Sequence, residues 1–380
     1  MRVVVAMDSF KGSLSSLEAG NAVKEGICQI NGAATVTVSS LADGGEGTVQ
    51  VLYRALGGQW VPVQVTGPRG NPVDAGYCIL PDGTAVLEMA SAAGLPLLSP
   101  EERDPLETTT YGVGELIRHA IENGCREFIV GIGGSATNDG GTGMLTALGF
   151  EFLNKNGDPI PNCGKGLENL DYIRADHCLP ELAQCRFRIA CDVNNPLCGD
   201  NGCSAVFAPQ KGATLETVAA MDTWLARYAR IAAAASHKAD PDFPGAGAAG
   251  GLGFGFLTFT NAVLESGADI VLSQSGLEQK IQNADFVITG EGRLDGQTVM
   301  GKGPVKVAQL AKKYGKPVIA LCGCVGKNAQ ICNRHGIDAY FPILQDVTSL
   351  DEALAPETAR NHLTATAAQV FRLISTFRRK

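Results

Sequence analysis

Six acidic residues, Asp8, Asp43, Asp139, Asp192, Glu291 and Asp295, each fall at or within a few residues of the end of a segment that reads as a β-strand. One carboxylate there caps a turn. Six gathered along sheet edges would repel one another unless a cation or a ligand's donors stood among them, and Mg²⁺ beside phosphate oxygens is the economical resolution. Lys11, Arg293 and Lys302 bring the opposite charge, Lys as a point charge for phosphate and Arg as a fork suited to a carboxylate. Glycine-rich turns complete the set. In Gly131-Ile-Gly-Gly-Ser-Ala-Thr-Asn-Asp-Gly-Gly141, Gly133, Gly134, Gly140 and Gly141 leave room for a close approach, and Ser135, Thr137 and Asn138 add side-chain donors. A strand, glycine turn and helix in succession present unpaired N–H groups at the positive end of a helix dipole, and the anion this accepts is commonly phosphate.

Two further glycine runs resemble known nucleotide loops imperfectly. Gly245-Ala-Gly247-Ala-Ala-Gly250 matches the dinucleotide fingerprint G-x-G-x-x-G, with Asp269 near the distance for a ribose contact. The fingerprint must follow directly on a strand, however, and Asp240-Pro-Asp-Phe-Pro244 precedes it, so a phosphate or nucleotide loop is the better reading. Gly296-Gln-Thr-Val-Met-Gly-Lys302-Gly303 misses the P-loop by placing Gly303 where a Ser or Thr should bind magnesium, although Lys302 can still reach a phosphate. Other chemistries lack their parts. There is no G-x-S-x-G elbow, no H-E-x-x-H among the five His, and no C-x-x-C, Cys322 and Cys324 forming only a C-x-C. The twelve cysteines read as buried free thiols of a reduced, cytoplasmic protein, since no secretory signal opens the chain.

The elements that must position these residues alternate. Arg2 to Ala6 and Val36 to Leu41 read as strands, each followed by a helical pattern, which argues for a parallel sheet with right-handed crossovers. Trp60 to Val65, Gly76 to Leu80 and Ala85 to Met89 are short β segments between tight turns and suit antiparallel pairing. From Thr108 the α/β rhythm returns, with strands expected at Phe128 to Ile132, Phe187 to Cys191, Asp285 to Thr289 and Pro317 to Cys322, and the cleanest helix at Leu215 to Ala235. Phe243 to Leu264 is long and uncharged, but its six Gly and one Pro make it a glycine loop running into a buried helix rather than a membrane span. The expected fold is α/β in two domains: a doubly wound domain from residues 1–60 and 271–380, and an inserted mixed α/β domain from 61–270. At 380 residues with a net charge of -8, the chain is long enough for two cores and carries the wrong sign for a nucleic-acid or anionic-membrane partner.

Asp8-Ser-Phe-Lys-Gly-Ser13, Ala42-Asp-Gly-Gly-Glu-Gly-Thr48, Gly131 to Gly141, Cys191-Asp-Val-Asn-Asn-Pro-Leu197, Pro244 to Gly251 and Thr289-Gly-Glu-Gly-Arg-Leu-Asp295 together resemble the signature blocks of the bacterial type 1 glycerate kinases, in order, from residue 1 to about 375. The resemblance implies ATP- and Mg²⁺-dependent phosphorylation of D-glycerate, most often to 2-phospho-D-glycerate, in glyoxylate and sugar-acid breakdown. It also implies a flavodoxin-like domain built from both termini, an inserted α/β domain and an active site in the cleft between them. Met7 stands where Pro is frequent and Cys198 where Val is usual, and neither touches a charged site residue. Residue roles follow from the chemistry of phosphoryl transfer, which asks for positioning and charge neutralisation. Backbone N–H groups of 131–141 and 245–251 would hold ATP phosphates. Asp43, Glu46 and Asp295 would orient Mg²⁺, and Arg293, with Ser135 and Asn138, would hold glycerate. Lys11 or Lys302 would stabilise the moving phosphoryl group, and Asp192, with Asp8 second, would accept the hydroxyl proton. The alternatives are a 3-phosphoglycerate-forming kinase, a dinucleotide-dependent oxidoreductase and a non-catalytic sugar-acid sensor; a homodimer is left open.

Overall fold

The computed structural model describes residues 1–41, 48–299 and 301–378. The chain divides into two compact units, Met1–Asp43 with Ala268–Lys380, and Gly44–Gly267. In the first unit, five parallel strands form one sheet in the order Thr35–Val38, Arg2–Met7, Phe286–Gly290, Val318–Cys322, Ala339–Pro342. Counting this sheet's strands along the chain gives 2-1-3-4-5, the flavodoxin-like order of a doubly wound sheet. The first strand shows why both faces are covered. Val3, Val5 and Met7 pack with Ala19, Val23 and Ile27 of helix Ser16–Ile30 and Leu363 and Phe371 of helix Pro356–Arg378, while Val4 and Ala6 pack with Ile281, Val305 and Ala308 on the other side. A strand buried on both faces reads as a continuous apolar run. Helix Ser16–Ile30 starts at a capping box, in which Glu18 N–H donates to Ser15 Oγ and Ser15 N–H to Glu18 Oε2 at 2.8 Å.

The second unit carries a six-stranded mixed sheet in the order Ala262–Glu265, Arg186–Ala190, Glu127–Gly131, Ala85–Glu88, Pro72–Ile79, Gln59–Thr66. The first four strands run parallel and the last three form an antiparallel meander. That change of pattern follows the short β segments and tight turns between 60 and 89. The helices Tyr111–Glu122, Leu215–Ala235 and Ala248–Phe259 supply the layers around this sheet. Phe128 stacks on Phe187 at 4.8 Å, and Tyr228 meets Phe254 edge-on at 5.3 Å. The structural division falls at residues 43 and 267 where the sequence pattern suggested 60 and 270. Helix Thr48–Leu56 therefore belongs to the second unit, with Val49 N–H donating to Glu88 Oε1 at 3.1 Å at the end of a strand there.

All twelve cysteines are free thiols, and burial pushes Cys198 and Cys322 up to about 12, so they are small apolar packing groups rather than thiolates. Among the described residues no helix is long and apolar enough to cross a membrane. The 245–250 glycine run is not led into by a strand: helix Leu215–Ala235 and a turn through Pro244 precede it, which removes the structural context a dinucleotide fingerprint requires.

Candidate active site

In the first unit, the carboxyl ends of strands Arg2–Met7 and Phe286–Gly290 lie side by side at the point where the strand order reverses, the place where open α/β sheets bind ligands. Asp8 follows the first strand and Glu291 the second, and Asp8 N–H donates to Gly290 O at 2.8 Å. Both residues are buried. Asp8 Oδ1 accepts from Ser9 N–H at 2.7 Å, and a methyl group built on Gly303 would lie 3.6 Å from Asp8 Oδ2, so this carboxylate reaches the start of helix Gly303–Lys313. Glu291 accepts from Thr298 Oγ1 at 2.6 Å and from Lys302 Nζ at 3.2 Å, and Arg293 Nε pairs with Asp295 Oδ2 at 3.2 Å. The backbone of Lys11 passes over Gly292, its nitrogen 3.7 Å from where a Cβ would stand. Asp8, Lys11, Glu291, Arg293, Asp295 and Lys302 thus gather at one sheet edge, with Lys11, Arg293 and half-exposed Lys302 presenting positive charge to solvent.

In the second unit, Asp192 is exposed just past strand Arg186–Ala190, and the 131–141 turn leaves the neighbouring strand Glu127–Gly131. Only part of that turn faces outward. Gly133 and Gly134 are exposed and Ser135 is 8% exposed, whereas Thr137, Asn138 and Asp139 are fully buried. Asp139 is a strut: it accepts from Thr110 N–H and Oγ1 at 2.8 and 2.7 Å and from the N–H groups of Gly141 and Gly143. Burial raises its carboxyl above the ordinary value against the pull of those donors. Asn138 spends its amide on Ser204 Oγ at 2.9 Å inside the unit, which takes it away from a substrate.

The two glycine runs do meet, and they meet each other. Gly140 N–H donates to Gly250 O at 2.9 Å, Gly141 N–H to Asp139 Oδ1 at 3.1 Å and Gly247 N–H to Asn195 O at 2.9 Å. A Cβ on Gly250, whose φ is +67°, would stand 2.1 Å from Thr137 O, one on Gly247 2.2 Å from Pro196 O and one on Gly245 2.7 Å from Leu264 Cδ1. These glycines let the chain pack closely on itself, against backbone at Gly247 and Gly250 and against side chains at Gly140, Gly141 and Gly245. The room expected for a ligand at Gly140, Gly141, Gly245, Gly247 and Gly250 is filled by the chain itself.

Sequence reasoning missed Lys211. The residue is 1% exposed, and its Nζ donates to Ser135 Oγ at 2.8 Å and Thr137 O at 2.6 Å. Burial lowers its ammonium to about 8, partly offset by Cys203 and Asp139. It sits in the single turn Pro209–Lys211, where no periodicity could announce a buried cation.

Asp43 and Glu46, expected at the metal, lie outside the described residues. Among the described residues no group of three His, Cys, Asp or Glu is placed to hold a metal. Magnesium delivered with nucleotide phosphates takes only one or two carboxylates, and Asp295, beside Arg293, is one carboxylate at this edge that suits that donor set.

A flavodoxin-order sheet with carboxylates and cations at its switch point is the setting in which α/β proteins bind ligands. The chain belongs to the glycerate kinase family, whose sequence profile matches residues 3–375. It is 46% identical over 376 residues to the glycerate kinase of Haemophilus influenzae, covering 99% of each chain, and 46% identical over 354 residues to the glycerate 2-kinase of Escherichia coli, covering 93% of each. A crystal structure of a Salmonella typhimurium LT2 protein, provisionally named glycerate kinase 2, is similar with a TM-score of 0.89 at 44% identity over 100% of both chains.

Proposed function

We propose that this chain transfers the γ-phosphoryl group of ATP to the 2-hydroxyl of D-glycerate, with Mg²⁺, to give 2-phospho-D-glycerate and ADP. The observation that carries this reading is the edge of the first-unit sheet, where Asp8, Glu291, Arg293, Asp295 and Lys302 surround a switch point in a chain that matches glycerate kinases along its whole length. Similarity to the relative named glycerate 2-kinase supports the 2-position. A place in glyoxylate or sugar-acid breakdown is part of the same reading.

Asp192 is the proposed general base, taking the proton of the substrate hydroxyl as its oxygen attacks phosphorus. Lys302 and Lys11 offset charge on the equatorial phosphoryl oxygens, and the Arg293 guanidinium grips the glycerate carboxylate as a fork. Exposed Gly133 and Gly134 let backbone N–H groups approach phosphate, and Ser135 adds a hydroxyl beside them. Magnesium, when bound, would neutralise β- and γ-phosphate charge, with Asp295, Asp43 and Glu46 as the carboxylates that would orient it, directly or through water. A coupled assay tests the regiochemistry: enolase added alone converts the 2-phosphate directly, whereas a 3-phosphate is inert until a mutase is supplied.

A further inference from the structure

A fully buried lysine is an expensive way to fill space, because burying an ammonium forfeits its hydration and a hydrophobic side chain of similar volume would pack at least as well. Lys211 is nonetheless 1% exposed, with Nζ on Ser135 Oγ and Thr137 O. An ammonium only donates, so the Ser135 hydroxyl must accept from it, and its single proton has to point away from Nζ. Among the described residues that proton has no acceptor, although Ser135 is nearly buried and adjoins the exposed pair Gly133 and Gly134. A polarised hydroxyl with an unspent proton beside bare backbone is a donor awaiting an anion.

We infer that Lys211 is a positioning residue, whose ammonium fixes the Ser135 hydroxyl as an outward donor to an anionic oxygen of a substrate held at the 133–135 turn. Resting on the functional reading above, the inference makes that oxygen a phosphate of the nucleotide or the carboxylate of glycerate. Lys211 touches neither substrate. It acts through Ser135 and through the Thr137 carbonyl, which pins the inner side of the same turn. The titratable groups that act on the ammonium are Cys203, from helix Cys203–Phe207, and Asp139, from the 131–141 turn.

The test compares the full-length protein with Lys211→Met, Ser135→Ala and the double variant. Each is measured for Tm, for kcat and KM with D-glycerate and with ATP, and by calorimetric titration with each ligand separately. Removing a charge-assisted hydrogen bond to an anion should raise KM and Kd for one ligand about tenfold, the same ligand in both single variants. The expected change in kcat is less than about threefold, since the bond to the turn is made in ground and transition states alike. The double variant should bind no more weakly than the weaker single, because one interaction is removed twice. Ser135→Ala with both KM values unchanged overturns the inference whether or not Lys211→Met folds, and so do fully additive losses. A wild type that binds its ligands yet fails to phosphorylate glycerate overturns the functional reading alone, since the calorimetric comparison still decides the role of Lys211. A wild type that gives no heat with either ligand overturns both.

Discussion

Whether a carboxylate can take a proton from a substrate depends on where it stands and on what already occupies its oxygens. Asp139 and Asp192 both follow strands of the same sheet, and nothing in their sequence neighbourhoods separates them. Asp139 is fully buried among four donors and braces the 131–143 segment, whereas Asp192 stands exposed at its strand end. Asp192→Asn keeps size and shape while removing basicity. It should lower kcat by ~10²- to 10⁴-fold with Tm shifted by no more than about 2 °C; steady-state kinetics beside a thermal melt check this, and a kcat within threefold of wild type would pass the role to Asp8. At this scale the sequence was a partial guide. It picked out the charged residues at Asp8, Glu291, Arg293, Asp295 and Lys302 because strand ends and polar turns are legible, but burial within a loop has no periodicity. The burial of Thr137, Asn138 and Lys211 is therefore visible only in the structure.

Elements explain the glycines better than ligands do. The helix Ala248–Phe259 carries positive φ at Ala249, Gly250 and Gly251, and this lets the run fold back against Thr137, Asn138 and Gly140. Gly250→Ala combines a left-handed backbone with a Cβ 2.1 Å from Thr137 O, so it should destabilise the protein by on the order of 3 kcal/mol, read as a drop in the denaturant midpoint. The sheet makes a separate prediction. Arg188 and Glu265, on adjacent strands, form a bidentate pair with both contacts at 2.8 Å, and the hydrogen bond from Arg188 lowers the Glu265 carboxyl below its ordinary value. A lowered folded-state pKa contributes stability above the unfolded value and loses it as pH falls through the folded one. Glu265→Gln should therefore cost about 1 kcal/mol at pH 7, and the gap from wild type should close as pH falls below about 4. Denaturant titrations at both pH values measure it. The central strands were legible as apolar runs, and helix Leu215–Ala235 falls at the residues its periodicity gave. The edge strands Ala262–Glu265 and Ala339–Pro342 were not, because four partly exposed residues leave no pattern of burial to read.

For the whole molecule, the alternation of strands and helices near both termini makes the first unit's sheet parallel, and the 2-1-3-4-5 order seen in the structure puts Asp8 and Glu291 at its switch point. The net charge of -8 means that two anionic substrates must be drawn by local cations rather than by the overall field. In the proposed reading, Lys11, Lys302 and Arg293 of the first unit supply that charge. Phosphorus NMR of the purified protein with ATP, Mg²⁺ and either glycerate enantiomer tests the central claim most directly. With D-glycerate the γ-phosphate resonance should decay into ADP and one new phosphomonoester, identified as the 2-phosphate, and L-glycerate should leave the spectrum unchanged. ATP left intact beside D-glycerate, or spent only to inorganic phosphate, would contradict the account.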